Sequence, residues 1–89
     1  MLENKVVLVT GGTGTFGNAF VSRILNTAVK EIRVFSRDEL KQDNMRRKYQ
    51  SDKIRYIIGD VRDIRTVEPA VEGVDYIFHA AALKQVPSC

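Results

Sequence analysis

Apolar residues along this chain fall into short blocks separated by polar or glycine-rich stretches. The first block, Lys5-Val6-Val7-Leu8-Val9-Thr10, is almost continuously β-branched. Such a run predicts a strand buried on both faces, as in a parallel sheet. Glycines break it at once, at Gly11, Gly12, Gly14 and Gly17. Beyond them Phe16, Phe20, Val21, Ile24 and Leu25 recur at helical spacing and predict one apolar stripe. Asn26-Thr27 closes that helix, and residues 32–36 form a second strand. Ser36-Arg37-Asp38-Glu39 fits the S-x-x-E capping box, which makes Ser36 the expected cap of a second helix. Leu40, Met45 and Tyr49 give that helix a sparse apolar stripe, so it is expected to be largely exposed. Residues 54–58 read as a third strand ended by Gly59-Asp60. Asp63 then caps a third helix through Glu72, with Ile64, Val67 and Val71 facing inward. Pro69 lies inside it and predicts a distorted or late-starting helix, because an interior proline clashes with the carbonyl four residues back. Residues 74–78 read as a fourth strand, followed by His79-Ala80-Ala81-Ala82.

The predicted order is βαβαβαβ. Right-handed crossovers turn that order into an α/β fold, a parallel sheet with flanking helices. The expected strand order is 3-2-1-4, the first half only of a Rossmann-type fold. Residues 1–89 then form the N-terminal part of one dinucleotide-binding domain, incomplete and without a substrate domain.

Composition narrows the class. The 89 residues suit one domain and not two. Leu, Ile, Val and Phe number 5, 7, 11 and 4, too many for a disordered chain. Fourteen Lys+Arg against eleven Asp+Glu leave +3, which does not by itself indicate nucleic-acid binding. The Arg46-Arg47-Lys48 cluster has no interleaved aromatic, so no nucleic-acid partner is expected and the cluster reads as a solvated helix face. No apolar run approaches the ~20 residues of a membrane helix, and residues 1–5 lack a signal peptide's apolar core. A single cysteine, Cys89, excludes an internal disulfide framework and fits a reducing cytoplasm.

Gly12-Thr13-Gly14-Thr15-Phe16-Gly17 matches G-x-G-x-x-G, and Gly11, Gly14 and Gly17 also fit G-x-x-G-x-x-G. In a dinucleotide site the early glycines permit a tight turn, the middle one lets backbone approach a pyrophosphate, and the last lets helix pack on strand. The free amides of the helix N-terminus face the negative charge. A buried strand before the motif and an amphipathic helix after it supply its confirming context. A P-loop is excluded because no Gly-Lys-Ser/Thr follows.

The end of the second strand faces the adenosine ribose, where NAD binders place an acidic residue about 20 residues past the glycines. Arg37 occupies that register, 20 residues after Gly17, between Ser36 and Asp38. A guanidinium with Ser36 and Lys41 nearby suits a 2′-phosphate and hence NADP. Asp38 offers the alternative of a 2′-hydroxyl and NAD, and Ser36 the alternative of a helix cap. Asp60-Val61, after the third strand, suits adenine, with the carboxylate accepting from the amino group; a turn-capping role is its alternative. Ala80-Ala81-Ala82 leave room for the riboses, unless they merely turn the chain.

Tyr49 and Lys53 match the Tyr-x-x-x-Lys of short-chain dehydrogenases. They precede the third strand, on the wrong side of the crevice for a catalytic pair, so the match reads as accidental. His79, the only histidine, has no evident partner and reads as a strand-end packing residue. No metal site and no catalytic residue is assigned.

Thr10–Gly17, Phe35-Ser36-Arg37-Asp38-Glu39, Gly59-Asp60-Val61-Arg62-Asp63 and His79-Ala80-Ala81-Ala82-Leu83-Lys84-Gln85-Val86-Pro87 together resemble the extended short-chain dehydrogenase/reductase superfamily. Within it they are similar to the capsular-polysaccharide UDP-N-acetylglucosamine 4,6-dehydratase (5-inverting) group. Gln85 and Ser88-Cys89 are most similar to the branch that begins N-acetyl-L-fucosamine precursor synthesis. The resemblance spans all 89 residues, about the first quarter of such an enzyme. It implies that Thr13 to Phe16 hold the pyrophosphate and Ser36 to Lys41 the adenosine phosphate. Asp60-Val61 would sit by the adenine, Ala80 near a ribose, and Lys84 would reach cofactor and substrate together, with a solvated loop lysine as the alternative. The implied reaction oxidises a UDP-sugar at C4, eliminates water across C5–C6 and returns hydride to C6, with inversion at C5.

The implied catalytic segments and the sugar-binding domain are absent from residues 1–89. The expectation is therefore an inactive, marginally stable segment with an uncovered sheet edge, and a homo-oligomeric parent. Two rival readings stand beside it: a UDP-hexose 4-epimerase of the same superfamily, and a non-catalytic NADP(H)-sensing module.

Overall fold

The computed structural model describes residues 2–80. Its elements run β1 (Val6–Thr10), α1 (Thr15–Ile24), β2 (Glu31–Ser36), α2 (Glu39–Tyr49), β3 (Ile54–Ile58), α3 (Ile64–Val71) and β4 (Tyr76–His79). The strands form one sheet in the order β3-β2-β1-β4. All three pairings are parallel, with Val9 opposite Val34 and Phe78, and Phe35 opposite Ile57. This is the expected half-Rossmann architecture.

Side chains of a strand alternate between the two faces of a sheet, so β1 feeds two cores. Val7 and Val9 join Val21 and Ile24 of α1, Met45 of α2, and Ile32 and Val34 of β2 on one face. Leu8 and Phe35 meet Ala70 of α3 on the other. Every residue of β1 is buried, which is why its sequence is uninterrupted rather than alternating. The order reverses between β1 and β4, and that boundary is the switch point at which doubly wound sheets bind ligands.

Several local expectations are corrected. Ser36 does not cap α2; Asp38 does, its side chain accepting from the Lys41 amide at 3.0 Å. Ser36 is still a strand residue, the last of β2, so its backbone is committed to the sheet. Leu40 is 71% exposed and leaves the α2 stripe, where Gln42 is buried beside Met45. Gln42 Nε2 donates to Ile57 O at 2.9 Å and to Ser36 Oγ at 3.1 Å, so a satisfied amide takes an apolar residue's place. Phe16 likewise leaves its stripe and stands exposed at the start of α1, whereas Phe20 stacks on Phe78 at 3.9 Å between centroids.

In α3 the inward residue is Ala70, with Val67 and Val71 packed at its fringe, and Ile64 is exposed. Pro69 does not delay the helix, which begins directly after its Asp63 cap and runs through the proline. Only two helical residues follow Pro69, so its missing amide falls near the end of the hydrogen-bond ladder. The fourth strand starts at Tyr76 rather than at 74 and reaches His79. It is an edge strand, and its Tyr76 and Ile77 are exposed.

Candidate functional site

The turn after β1 is built by glycine. Gly11 sits at φ 67°, the left-handed region open to a residue without Cβ. Its carbonyl accepts from the Gly14 amide at 3.1 Å and closes the turn. Gly14 is then the N-cap of α1 and supplies no side-chain hydrogen bond. The N-cap residue of α1 therefore offers its first-turn amides no side-chain acceptor. Gly17 lets the helix descend onto this turn: a Cβ there would lie 2.5 Å from Gly11 O and from Gly12 Cα.

Two clefts meet at this turn. A cleft of about 570 Å³ is lined by Gly11, Thr13, Gly14, Ser36, Arg37, Asp38, Glu39 and Lys41. A second of about 240 Å³ is lined by Gly11, Phe35, Ser36, Arg37, Gly59, Asp60, Val61 and Arg62. Gly11, Ser36 and Arg37 line both. Residues drawn from the ends of β1, β2 and β3 are thus brought to one continuous surface.

Ser36 Oγ accepts from Gln42 Nε2 and, at 3.4 Å, from the Asp38 amide. Its hydroxyl proton is then the group it offers to the larger cleft. Arg37 is well exposed, with Nη1 3.8 Å from Asp60 Oδ2 at the wall between the clefts. Asp60 takes up the turn-capping role that the sequence left open as its alternative. Its Oδ1 accepts from the Arg62 amide at 2.9 Å and its Oδ2 from Arg62 Nη2 at 3.0 Å. These bonds, the side-chain one first and the backbone one second, hold the Asp60 carboxyl down at about 2.

Thr15 and Phe16 are exposed at the first turn of α1, while Gly17 is buried and acts by packing. Ala80 lines neither cleft and is buried in the core with Val7 and Val9. Ala81, Lys84 and Cys89 lie outside the described residues. His79 is exposed rather than packed, and it has a partner: its Nδ1 lies 2.7 Å from Thr10 Oγ1, across the ends of β4 and β1. Tyr49 and Lys53 do not form a pair at the clefts. The Tyr49 hydroxyl donates to Asn18 Oδ1, and Lys53 Nζ donates to Thr27 O at 3.4 Å.

Gln42, Arg62 and Arg33 carry structure that the sequence reading passed over. Arg33 is buried in β2, donating from Nη1 to Ala70 O at 2.9 Å and to Glu72 O at 2.6 Å. A lone arginine inside a β-branched strand was the signal for it. No helix among the described residues is long and apolar enough to cross a membrane.

Comparison with known proteins agrees with this fold. The family described as "Polysaccharide biosynthesis protein" matches residues 7–89. A protein of Rickettsia bellii named UDP-glucose 4-epimerase is 55% identical over the whole of this chain, which covers 27% of that relative. The X-ray structure of Pen from Bacillus thuringiensis superposes with a TM-score of 0.85 at 40% identity, covering 90% of this chain and 26% of that one. WbmF of Bordetella bronchiseptica, in complex with NAD+, shares the fold with a TM-score of 0.70 at 23% identity, over 88% of this chain and 23% of its own. The chain spans about a quarter of the length of the relatives it matches.

Proposed function

We propose, because this chain belongs to the polysaccharide biosynthesis protein family, that it is the cofactor-binding N-terminal segment of an enzyme that modifies a nucleotide-linked sugar through a nicotinamide dinucleotide. The observation that carries this reading is the approach of Gly17 to the Gly11 turn, with a Cβ position only 2.5 Å from Gly11 O. It brings uncapped helix amides beside a cleft that runs on to the ends of β2 and β3. That combination suits a pyrophosphate joined to an adenosine.

When bound, such a cofactor supplies a reversible hydride acceptor for the sugar's C4. This chain's own residues bind and orient. The turn from Thr13 to Phe16 presents amides to the pyrophosphate. Ser36, Arg37, Asp38 and Lys41 surround the adenosine ribose, where the exposed Arg37 guanidinium and the Ser36 hydroxyl favour a 2′-phosphate, and therefore NADP over NAD. Asp60 and Val61 border the adenine cleft, and Lys84 serves cofactor and substrate. The UDP-sugar is the substrate class that the named Rickettsia relatives support.

Two outcomes share oxidation at C4. The relatives' name supports a 4-epimerase, in which hydride returns to C4. The Ser36-Arg37-Asp38-Glu39 and Ala81-Ala82-Leu83-Lys84-Gln85-Val86-Pro87 segments favour the 5-inverting 4,6-dehydratase. Incubating the full-length enzyme with UDP-N-acetylglucosamine and with UDP-glucose in heavy water separates them. Solvent deuterium at C5 with loss of the 6-hydroxyl marks the dehydratase, and a C4 epimer without deuterium at C5 marks the epimerase. No change in either sugar contradicts both.

A further inference from the structure

A third cleft, of about 260 Å³, opens between α1 and α2 and is lined by Thr13, Asn18, Lys41, Asn44, Met45 and Lys48. It shares Thr13 and Lys41 with the larger cleft, so the two adjoin. Lys41, Asn44 and Lys48 stand at i, i+3 and i+7 on α2, which places them along one helix face. No carboxylate among the described residues lines this cleft.

The charges of α2 are sorted between its faces. Arg46 and Arg47 both pair with Asp43, at 3.4 and 2.9 Å. Lys41 and Lys48 have no acidic partner among the described residues, and both turn to the cleft. Tyr49 organises its far wall. The Tyr49 hydroxyl donates to Asn18 Oδ1, so the hydrogens of that amide are what Asn18 has left to offer. The same ring lies 5.2 Å from Lys48 Nζ, which steadies the ammonium by a cation–π contact. The Tyr-x-x-x-Lys coincidence thus leaves its tyrosine as the support of a cleft that carries two ammonium groups and neutral polar side chains able to donate.

We propose that this cleft is an oxyanion site for a phosphate monoester, held by Lys41 and Lys48 with Asn18, Asn44 and Thr13 as neutral donors. A doubly charged, acceptor-only group matches two unpaired ammonium ions and donor amides in a way that a neutral ligand does not. Two sources present that group: a phosphate on the adenosine ribose, reaching across from the adjoining cleft, or a free phosphate. The first source rests on the cofactor reading above and the second does not.

The test is a titration of the chain, at constant ionic strength, with inorganic phosphate, NADP+ and NAD+. It is followed by the side-chain amide signals of Asn18 and Asn44 and repeated with Lys48→Ala and Lys48→Glu. Lys48 is exposed and contributes no packing to the core, so both variants keep the fold. Phosphate is expected to shift the Asn18 amide, with affinity falling about two- to fivefold in Lys48→Ala and further in Lys48→Glu. If NADP+ is weakened alike while NAD+ is untouched, the phosphate is the cofactor's. If only inorganic phosphate responds, the site stands and its ligand is a free anion. A chain that binds neither nucleotide defeats the cofactor reading and leaves the phosphate titration to decide this one. Phosphate and NADP+ affinities that ignore both Lys48 variants, or an Asn18 amide that does not move, overturn the proposal.

Discussion

The Cβ that an alanine would bring to position 17 lies 2.5 Å from the carbonyl oxygen of Gly11. Helix α1 and the turn after β1 are in backbone contact there, and neither is free to retreat. Gly11 holds φ 67° and passes its amide to Phe35 O at 2.9 Å, while α1 buries Val21 and Ile24.

Gly17→Ala is therefore expected to cost about 1–3 kcal/mol, read from urea unfolding, and to abolish nucleotide binding in the fraction that stays folded. An alanine variant with unchanged stability and unchanged affinity contradicts the close approach.

Arg33 is expected to be the least replaceable side chain on the α3 face. Arg33→Leu leaves Ala70 O and Glu72 O without their donor and should cost about 1–3 kcal/mol. Amide exchange should speed up at the α3 terminus and in the lead-in to β4. Arg33→Lys should not restore protection, since one ammonium cannot reproduce the fork that also meets Glu31 at 2.8 Å. Full protection in Arg33→Leu contradicts the assignment.

Asp60 gives a pH dependence whose sign is set by its depressed carboxyl. A group held at about 2 when folded, against 3.8 ordinarily, stabilises the fold above 3.8 and loses that effect as pH falls from 3.8 toward 2. Carbon-detected titration should place the Asp60 midpoint near 2 and, in Arg62→Ala, part of the way back toward the ordinary value, because the backbone amide of residue 62 still donates to the carboxylate. An identical midpoint in that variant removes Arg62 as the cause.

Thr10→Val removes a buried hydroxyl whose partner is the exposed His79 ring. Hydrogen exchange should then rise in β4 and not in β2, because the bond ties the edge strand alone. Equal changes in both strands contradict this.

What was legible in the sequence followed from repetition. The unbroken apolar run of β1 demanded burial on both faces, and glycines at fixed offsets demanded a tight turn. Ser36, Arg37, Asp38 and Lys41 were readable as one cluster because short segments after parallel strands converge at one edge of the sheet. What was not legible depended on partners distant in sequence. Gln42 is buried because Ile57 O, fifteen residues on, accepts from it. Ser36 matched a capping box, yet its place in the sheet passed the cap to Asp38. Leu40 and Ile64 sit at apolar-stripe positions but stand exposed within the first turns of their helices. Lys48 read as part of a solvated helix face because Asn18, which lines the same cleft, is contributed by α1, thirty residues earlier.

The central claim is that the glycine turn and the ends of β2 and β3 form one dinucleotide site. Calorimetric titration of the chain with NADP+ and NAD+, alongside Arg37→Ala, tests it most directly, with amide shifts mapping the contact. The account predicts shifts centred on residues 11–17, 36–41 and 60–61, extended to the adjoining Asn18, Asn44 and Lys48 where the cofactor's phosphate enters the cleft between α1 and α2, tighter binding of NADP+ than of NAD+, and loss of that difference in Arg37→Ala. Binding of neither nucleotide, or shifts away from those segments, contradicts it.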